Sequence, residues 1–418
     1  MTDVRQELAR RIDADRDRLV RFFQDFVRID TSNPPGDTRA GAAFIRQFLD
    51  ASGIAHRVIA PEETMPNIVA TLEGTRPGKH LILNGHIDVF PIGDASRWAH
   101  DPLSGDIVDG CVYGRGSVDM KCGTTASVFT YYYLHSIRDR LKGKVSLTVV
   151  SDEETGGYWG SRYLVDEHPE FLGDCVLNGE PSSKYTVRFG EKAVFWLRFV
   201  IRTPGAHGAY PHISKSATKI AARLILDLET LEELPFQMPA AIEAALAKPD
   251  VRAAMEAGLG KGAVETAKRL TVNIGTLHGG VKANMLPGEC VVEADIRVPV
   301  GLTREEVLAA VKEILVRYPE ATLEGPPYGV NPTASDPDHP MLKIMQDNAE
   351  AAVGVRPVPI VTLGGTDCRF WRNKGVPAYV YGCLPDRMGA LDERVPVEEF
   401  LNVVRVHTLS AYDYLEQS

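Results

Sequence analysis

The chain has 418 residues, enough for two cores at about 100 to 200 residues per domain. A hydrophobic fraction of 44% and a charged fraction of 24% are those of a soluble globular protein, and a net charge of -10 leaves no basic surface for nucleic acid. Met1 to Arg21 is dense in Asp and Arg without an apolar stretch, and no run approaches the ~20 apolar residues of a membrane span. The expectation is a cytoplasmic protein with no signal peptide and no membrane contact. Cys111, Cys122, Cys175, Cys290, Cys368 and Cys383 form no C-x-x-C pair, which argues against a disulfide framework or a zinc knot and predicts reduced thiols.

In chain order, Glu7 to Ile29 has apolar residues at helical spacing, and Ala40 to Ser52 repeats the pattern before Gly53 ends it. His80 to Leu83, Val145 to Val150 and Cys175 to Leu177 read as buried strands, separated by helical patterns at Thr124 to Ser136 and Gly160 to His168. That alternation predicts a mainly parallel sheet covered on both faces. The pattern changes near Glu191. Ala193 to Arg202 is strand-like, Ser214 to Leu231 helical, Arg269 to Thr276 and Glu289 to Val298 strand-like, Thr303 to Tyr318 helical and Ala321 to Glu324 strand-like. The order β-α-β-β-α-β predicts a ferredoxin-like unit, interrupted by a Pro- and Ala-rich helical insert at about Pro235 to Lys268. After Pro340 helix and strand return, at Met341 to Ala352, Ile360 to Thr362 and Ala378 to Tyr381. The chain therefore reads as an α/β catalytic domain (1–190 and 331–418) interrupted by a smaller α+β domain (191–330).

Four clusters of acids and histidine follow predicted strands in the first half: G-H-I-D-V from Gly85, S-V-D-M-K from Ser117, D-E-E-T-G-G from Asp152 and N-G-E-P from Asn178. In a parallel sheet ligands bind outside the carboxyl ends of the strands, so clusters distant in sequence converge there. His86 and Asp88 are two apart on an extended segment, an arrangement that suits a metal-ligating imidazole held by a carboxylate. Glu153 and Glu154 are adjacent, so one is expected to bind metal while the other handles a proton. A divalent, zinc-like ion needs such deprotonated N and O ligands and makes water nucleophilic near neutral pH.

On these motifs, with Asp30-Thr-Ser-Asn-Pro-Pro, Gly205-Ala-His-Gly-Ala, Asn284-Met-Leu-Pro-Gly, Asp295-Ile-Arg297 and Asp392-Glu-Arg-Val, the sequence resembles the M20 metallopeptidase family. That group includes glutamate carboxypeptidases, aminoacylases, acetylornithine deacetylases and succinyl-diaminopimelate desuccinylases. The resemblance implies that His86, Asp119 and Glu180 hold a first metal, and that Asp119 bridges to a second held also by Glu154. It makes Glu153 the general base and Asp88 the residue that orients His86. It implies a lid that forms a homodimer or higher oligomer, with His207 reaching across the interface to stabilise the oxyanion. Asn284, Arg297, Gly365 and Arg369 match positions near a small carboxylate substrate, which a guanidinium fork suits. Simpler readings make His207 a surface histidine, pair Arg297 with Asp295 or Glu293, and pair Asp367 with Arg369 across a turn.

One departure stands out. The second-metal histidine of the family precedes the D-E pair by three residues, where this chain has Gly389 before Asp392-Glu393. The second site then keeps Asp119 and Glu154, unless His339, Asp392 or Cys383 moves in, and one or two ions per chain, zinc or manganese, are the expectation. The leading function is hydrolysis of the amide of an N-acyl amino acid, a dipeptide or a similar small carboxylate. The alternatives are an aminohydrolase of the 5-nitroanthranilate type and a non-catalytic binding protein on a peptidase fold.

Overall fold

The computed structural model describes residues 3–325 and 328–417, so the first two residues of the Met1–Arg21 stretch lie outside it. Its larger sheet has nine strands. From one edge they run Arg57–Ile59, Asn67–Glu73, Lys142–Val150, Arg76–His86, Cys175–Asn178, Ala378–Val380, Thr186–Glu191 and Thr333–Ala334, with Val358–Thr362 also paired to Thr186–Glu191. Arg76–His86 lies parallel to both of its neighbours, and the outer pairs are antiparallel. Within that central strand Leu81 and Leu83 face one apolar layer, with Leu134 and Val404, while Ile82 faces another, with Val176 and Trp371. Apolar residues on both sides are what a sheet covered on two faces requires.

Register places the site. His86 is level with Val150 and Asn84 with Asn178, so the segments that follow three parallel strands emerge side by side. Asp152 to Glu154 and Glu180 lie on those segments, and His86 ends the strand between them.

The second sheet is antiparallel, in the order Thr271–Gly279, Glu289–Val298, Ala193–Arg202, Ala321–Leu323. With the helices Ala217–Glu229 and Arg304–Leu315 it forms the expected β-α-β-β-α-β unit. Cys290, Val292, Ala294, Ile296 and Val298 alternate inward along one strand and meet Leu224 and Val311 in a core of their own. Thr303 and Glu306 cap the second helix reciprocally.

Three differences from the sequence reading have physical causes. The stretch Glu7 to Ile29 is two helices, Val4–Ala14 and Arg16–Val27, because Asp15 leaves helical geometry and caps the first. The insert helices Ala240–Leu246, Pro249–Leu259 and Ala263–Ala267 bury Ile242, Leu246, Val251, Met255 and Val264 in the core of the larger sheet, not in that of the smaller one. Lys192 ties this junction by donating from Nζ to the carbonyls of Thr266 at 2.9 Å and Arg269 at 2.7 Å. The strand Thr186–Glu191 escaped notice because Arg188 and Glu191, both buried, interrupt its apolar run.

Candidate metal centre

His86 ends its strand completely buried, and its Nδ1 lies 2.8 Å from the backbone carbonyl of Asp88. A proton on Nδ1 donates to that oxygen and leaves Nε2 with its lone pair. Nε2 has no hydrogen-bond partner, yet stands 3.4 Å from Asp119 Oδ1 and 3.2 Å from Glu180 Oε1. The three ligand atoms lie within 4.8 Å of one another, and no other such group occurs among the described residues. Burial opposes charge on His86, but Asp119, Asp88 and Glu180 outweigh it and hold its pKa well above the ordinary value. Burial, with the Asp119 charge beside it, pushes Glu180 up to about 8. A pocket that draws positive charge onto its own imidazole, beside an orphaned ring nitrogen, fits a divalent cation.

Each ligand is held from behind. Glu180 donates its backbone N–H to Asn178 Oδ1 at 2.8 Å, and Asn178 Nδ2 donates to Asn84 Oδ1 at 2.7 Å. Gly123 lets the segment after Asp119 approach that of Glu180, since a Cβ there would lie 2.0 Å from the Gly179 carbonyl oxygen. The Asp119 loop is gripped by Glu393, whose Oε1 accepts from the backbone N–H groups of Val118 at 2.9 Å and Asp119 at 3.1 Å. Arg115 Nη1 donates to the other Glu393 oxygen at 2.6 Å. This role of Glu393 was missed in the sequence, although its motif was noted; the acid pair drew attention as a companion to a ligand.

Asp88 holds the neighbouring turn. Its carboxylate accepts from the backbone N–H groups of Glu153 at 3.2 Å and Glu154 at 3.0 Å, and from Asn33 Nδ2 at 2.9 Å. Its Oδ1 is 3.5 Å from His86 Nδ1, so the imidazole is steadied by the Asp88 carbonyl and the acid turn by the Asp88 carboxylate. The two glutamates then part. Glu153 Oε1 accepts from Arg369 Nη1 at 2.7 Å, while Glu154 points into a buried position where its Oε1 has no partner. Burial, reinforced by the Asp119 charge, raises the pKa of Glu154 well above normal. Burial and the charge of Glu153 likewise push Asp367 up to about 7.

A cavity of about 280 Å³ opens beside the cluster and is lined by Glu153, Glu154, Trp196, Arg297, Gly365 and Arg369. Arg297 lines this cavity while donating from Nε and Nη2 to Asp295 Oδ2, at 3.0 and 2.8 Å. Two expected residues are elsewhere. His207 and Asn284 are exposed on the smaller sheet's side, where the Gly208 N–H donates to the Asn284 carbonyl at 2.7 Å and His207 Nδ1 accepts from the Ala209 N–H at 3.2 Å.

The second half of the expected site has Gly389 where the histidine would stand, and among the described residues none of the expected replacements joins the cluster. His339 caps the helix Pro340–Val353, its Nδ1 accepting from the Met341 N–H at 3.3 Å, and stacks on Tyr379. Asp392 Oδ1 accepts from the Ala99 N–H at 2.7 Å. Cys383 is buried with its thiol 3.7 Å from the Val118 carbonyl, and the adjacent Cys122 thiol, with burial, raises its pKa well above normal. None of the three joins the cluster. Gly389 itself is exposed at a φ of +70°, where a side chain is strained, and an added Cβ would lie 3.3 Å from the Phe90 ring.

Carboxylates and an imidazole converging beside parallel-strand ends, next to a guanidinium-held glutamate, are a donor set that suits a metal-dependent hydrolase. Residues 82–413 match the model of peptidase family M20/M25/M40, and the chain belongs to that family. The succinyl-diaminopimelate desuccinylase of Cereibacter sphaeroides (strain ATCC 17025 / ATH 2.4.3) is 26% identical over 94% of this chain and 98% of its own length. Aminoacylase-1 of Sus scrofa is 28% identical over 93% of both chains. Among solved structures, the di-peptidase Dug1p of Saccharomyces cerevisiae shares the fold with a TM-score of 0.82, 14% identity and full coverage, 100% of each chain. The protein is an M20-type, metal-dependent hydrolase of C–N bonds. No helix among the described residues is long and apolar enough to cross a membrane.

Proposed function

We propose that this protein hydrolyses the amide of an N-acyl amino acid, a dipeptide or a similar small carboxylate, with one zinc or manganese ion held tightly by His86, Asp119 and Glu180. The observation that carries this reading is the orphaned, buried Nε2 of His86 between two carboxylates that line the same cavity as the Glu153–Arg369 pair. A bound divalent ion supplies Lewis acidity and lowers the pKa of a coordinated water to near neutral.

The chain's own residues divide the remaining work. Glu153, held by the Arg369 guanidinium, accepts a proton from the attacking water and returns it to the leaving nitrogen. Asp88 is a positioning residue that fixes the Glu153–Glu154 turn through backbone N–H groups. Glu154 and Asp119 form a weaker second position for a cation. Arg297 and Arg369, with the Gly365 backbone, line the cavity that receives the substrate carboxylate. His207 and Asn284 complete the site from a second copy of this chain, which docks through the smaller sheet and helices; their exposure here supports that arrangement. Free thiols throughout fit a cytoplasmic setting.

The test is Glu153→Gln, an isosteric change that cannot accept the proton. Turnover of N-acyl amino acids should fall by about 10²-fold or more at unchanged metal content. Near-normal rates would remove Glu153 from this role, and ammonia release from an aryl amine without amide cleavage would favour the aminohydrolase.

A further inference from the structure

A cavity of about 460 Å³ lies behind the metal cluster and shares no lining residue with the cavity beside Glu153. Residues 381–384 form the wall between it and the ligand segments. Gly382 backs onto Glu180, where a Cβ would stand 2.2 Å from the Glu180 carbonyl oxygen, and the Cys383 thiol reaches the Val118 carbonyl at 3.7 Å. The opposite wall is the start of the helix Val397–Glu416, on which Glu399, Asn402 and Val403 share one face at helical spacing. Val353, Leu384 and Pro396 make much of the remaining lining apolar.

The polar groups in this cavity are left without partners. Tyr381 is 2% exposed, and its hydroxyl makes no hydrogen bond with any described residue, although the Glu399 charge acts on it. One Glu399 oxygen accepts from the Leu384 N–H at 2.7 Å, and the other has no partner among the described residues. Burial raises the Glu399 pKa above the ordinary value, against the Leu384 N–H and the Lys184 charge. Lys184 stands exposed at the other end with its Nζ 5.3 Å from the Tyr185 ring centroid, and it forms no ion pair with Glu399 or any other described residue. Glu398, by contrast, is already paired with Arg16.

One ammonium, one half-buried carboxylate and a buried hydroxyl thus face a single apolar space without satisfying one another. A molecule that carries both charges and an apolar body satisfies them together, and the volume is that of a small-ligand site. We propose that this cavity is a binding site for a free apolar α-amino acid, with its carboxylate on Lys184, its ammonium on Glu399 and its side chain among Tyr381, Leu384 and Val403. A free amino acid is also what the hydrolysis proposed above releases, but the inference goes beyond that reading and does not depend on it.

The test is calorimetry on the zinc-loaded protein with three probes: L-phenylalanine, 3-phenylpropionate, which lacks the ammonium, and 2-phenylethylamine, which lacks the carboxylate. L-Phenylalanine should bind, and each truncated probe should bind about 10-fold more weakly or worse, the scale of one lost hydrogen bond to a charged group. Lys184→Met should weaken L-phenylalanine by about 10-fold and leave 2-phenylethylamine unchanged, at unaltered metal content and turnover. Glu399→Gln should weaken L-phenylalanine and leave 3-phenylpropionate unchanged, a split that general loss of structure would not produce. Lys184 is exposed, so its variant carries the test if Glu399→Gln fails to fold. Absence of binding at millimolar L-phenylalanine, or equal affinity for the three probes, would overturn the site. Binding that survives in Lys184→Met and disappears in His86→Ala would place the amino acid at the metal centre and overturn it as well.

Discussion

The two halves of the site are built differently. His86, Asp119 and Glu180 come from strand ends and a buried loop, each fixed by hydrogen bonds to groups that are themselves buried. The C-terminal half comes from a turn, Asp386 to Ala390, that lies exposed on the surface and carries no side chain at Gly389. The proposed tight ion falls in the first half, where three ligand atoms already lie within 4.8 Å of one another, whereas Glu154 is the carboxylate that the proposal gives to a second position beside Asp119. Glu393 shows what the C-terminal segment still contributes: it clamps the loop of a ligand in the other half instead of accompanying one of its own.

The largest effect expected from breaking this contrast is a difference between two single substitutions. His86→Ala should remove both bound metal and turnover, because it deletes the one nitrogen of the compact cluster. Glu154→Ala should spare most of the metal. Elemental analysis of the purified variants checks both, and loss of all metal from Glu154→Ala would place the tight ion in the other half.

Glu393→Ala comes next. It leaves Arg115 charged at a buried position and frees the Asp119 loop, and removing one partner of a buried pair costs about 3 to 5 kcal/mol. Chemical denaturation should show that loss, together with weaker metal retention. An unchanged stability would mean that Arg115 finds another partner.

How much of this was legible follows from where each residue sits. The convergence of His86 and Glu180 was legible because each ends or follows a short apolar run that reads as a parallel strand, whereas Asp119 joins them from the buried loop Ser117–Lys121, which follows an antiparallel strand of a separate small sheet. The strand carrying Arg188 was not legible, since buried charges broke the pattern on which strand recognition depends. The insert was assigned by chain order to the smaller domain, although its apolar residues pack on the larger sheet; order along the chain does not say which core a helix joins. His339 and Cys383 were reasonable substitutes by residue type, but one was committed to a helix cap and the other to the thiol-lined core.

A smaller effect sharpens the comparison through pH. His407, fully buried in the C-terminal helix, lies with Nε2 2.6 Å from the Tyr381 carbonyl, just before the C-terminal half of the site begins. Burial lowers its pKa from 6.5 to about 4, more than that hydrogen bond raises it. With the folded pKa depressed, the unfolded chain takes up a proton first as the pH falls. The histidine's contribution is therefore complete above about pH 6.5 and is lost progressively toward pH 4, by up to about 3 kcal/mol. In His407→Gln the fall in stability between pH 7 and pH 4.5 should shrink accordingly; an identical fall would assign the acid sensitivity to other groups.

The most direct measurement is the number of ions retained per chain after exhaustive dialysis of protein loaded with zinc or with manganese. The account predicts close to one in the unmodified protein, and little gain in Gly389→His, because the backbone at that position is left-handed and the Phe90 ring occupies the adjacent space. Two tightly held ions in the unmodified protein would contradict it.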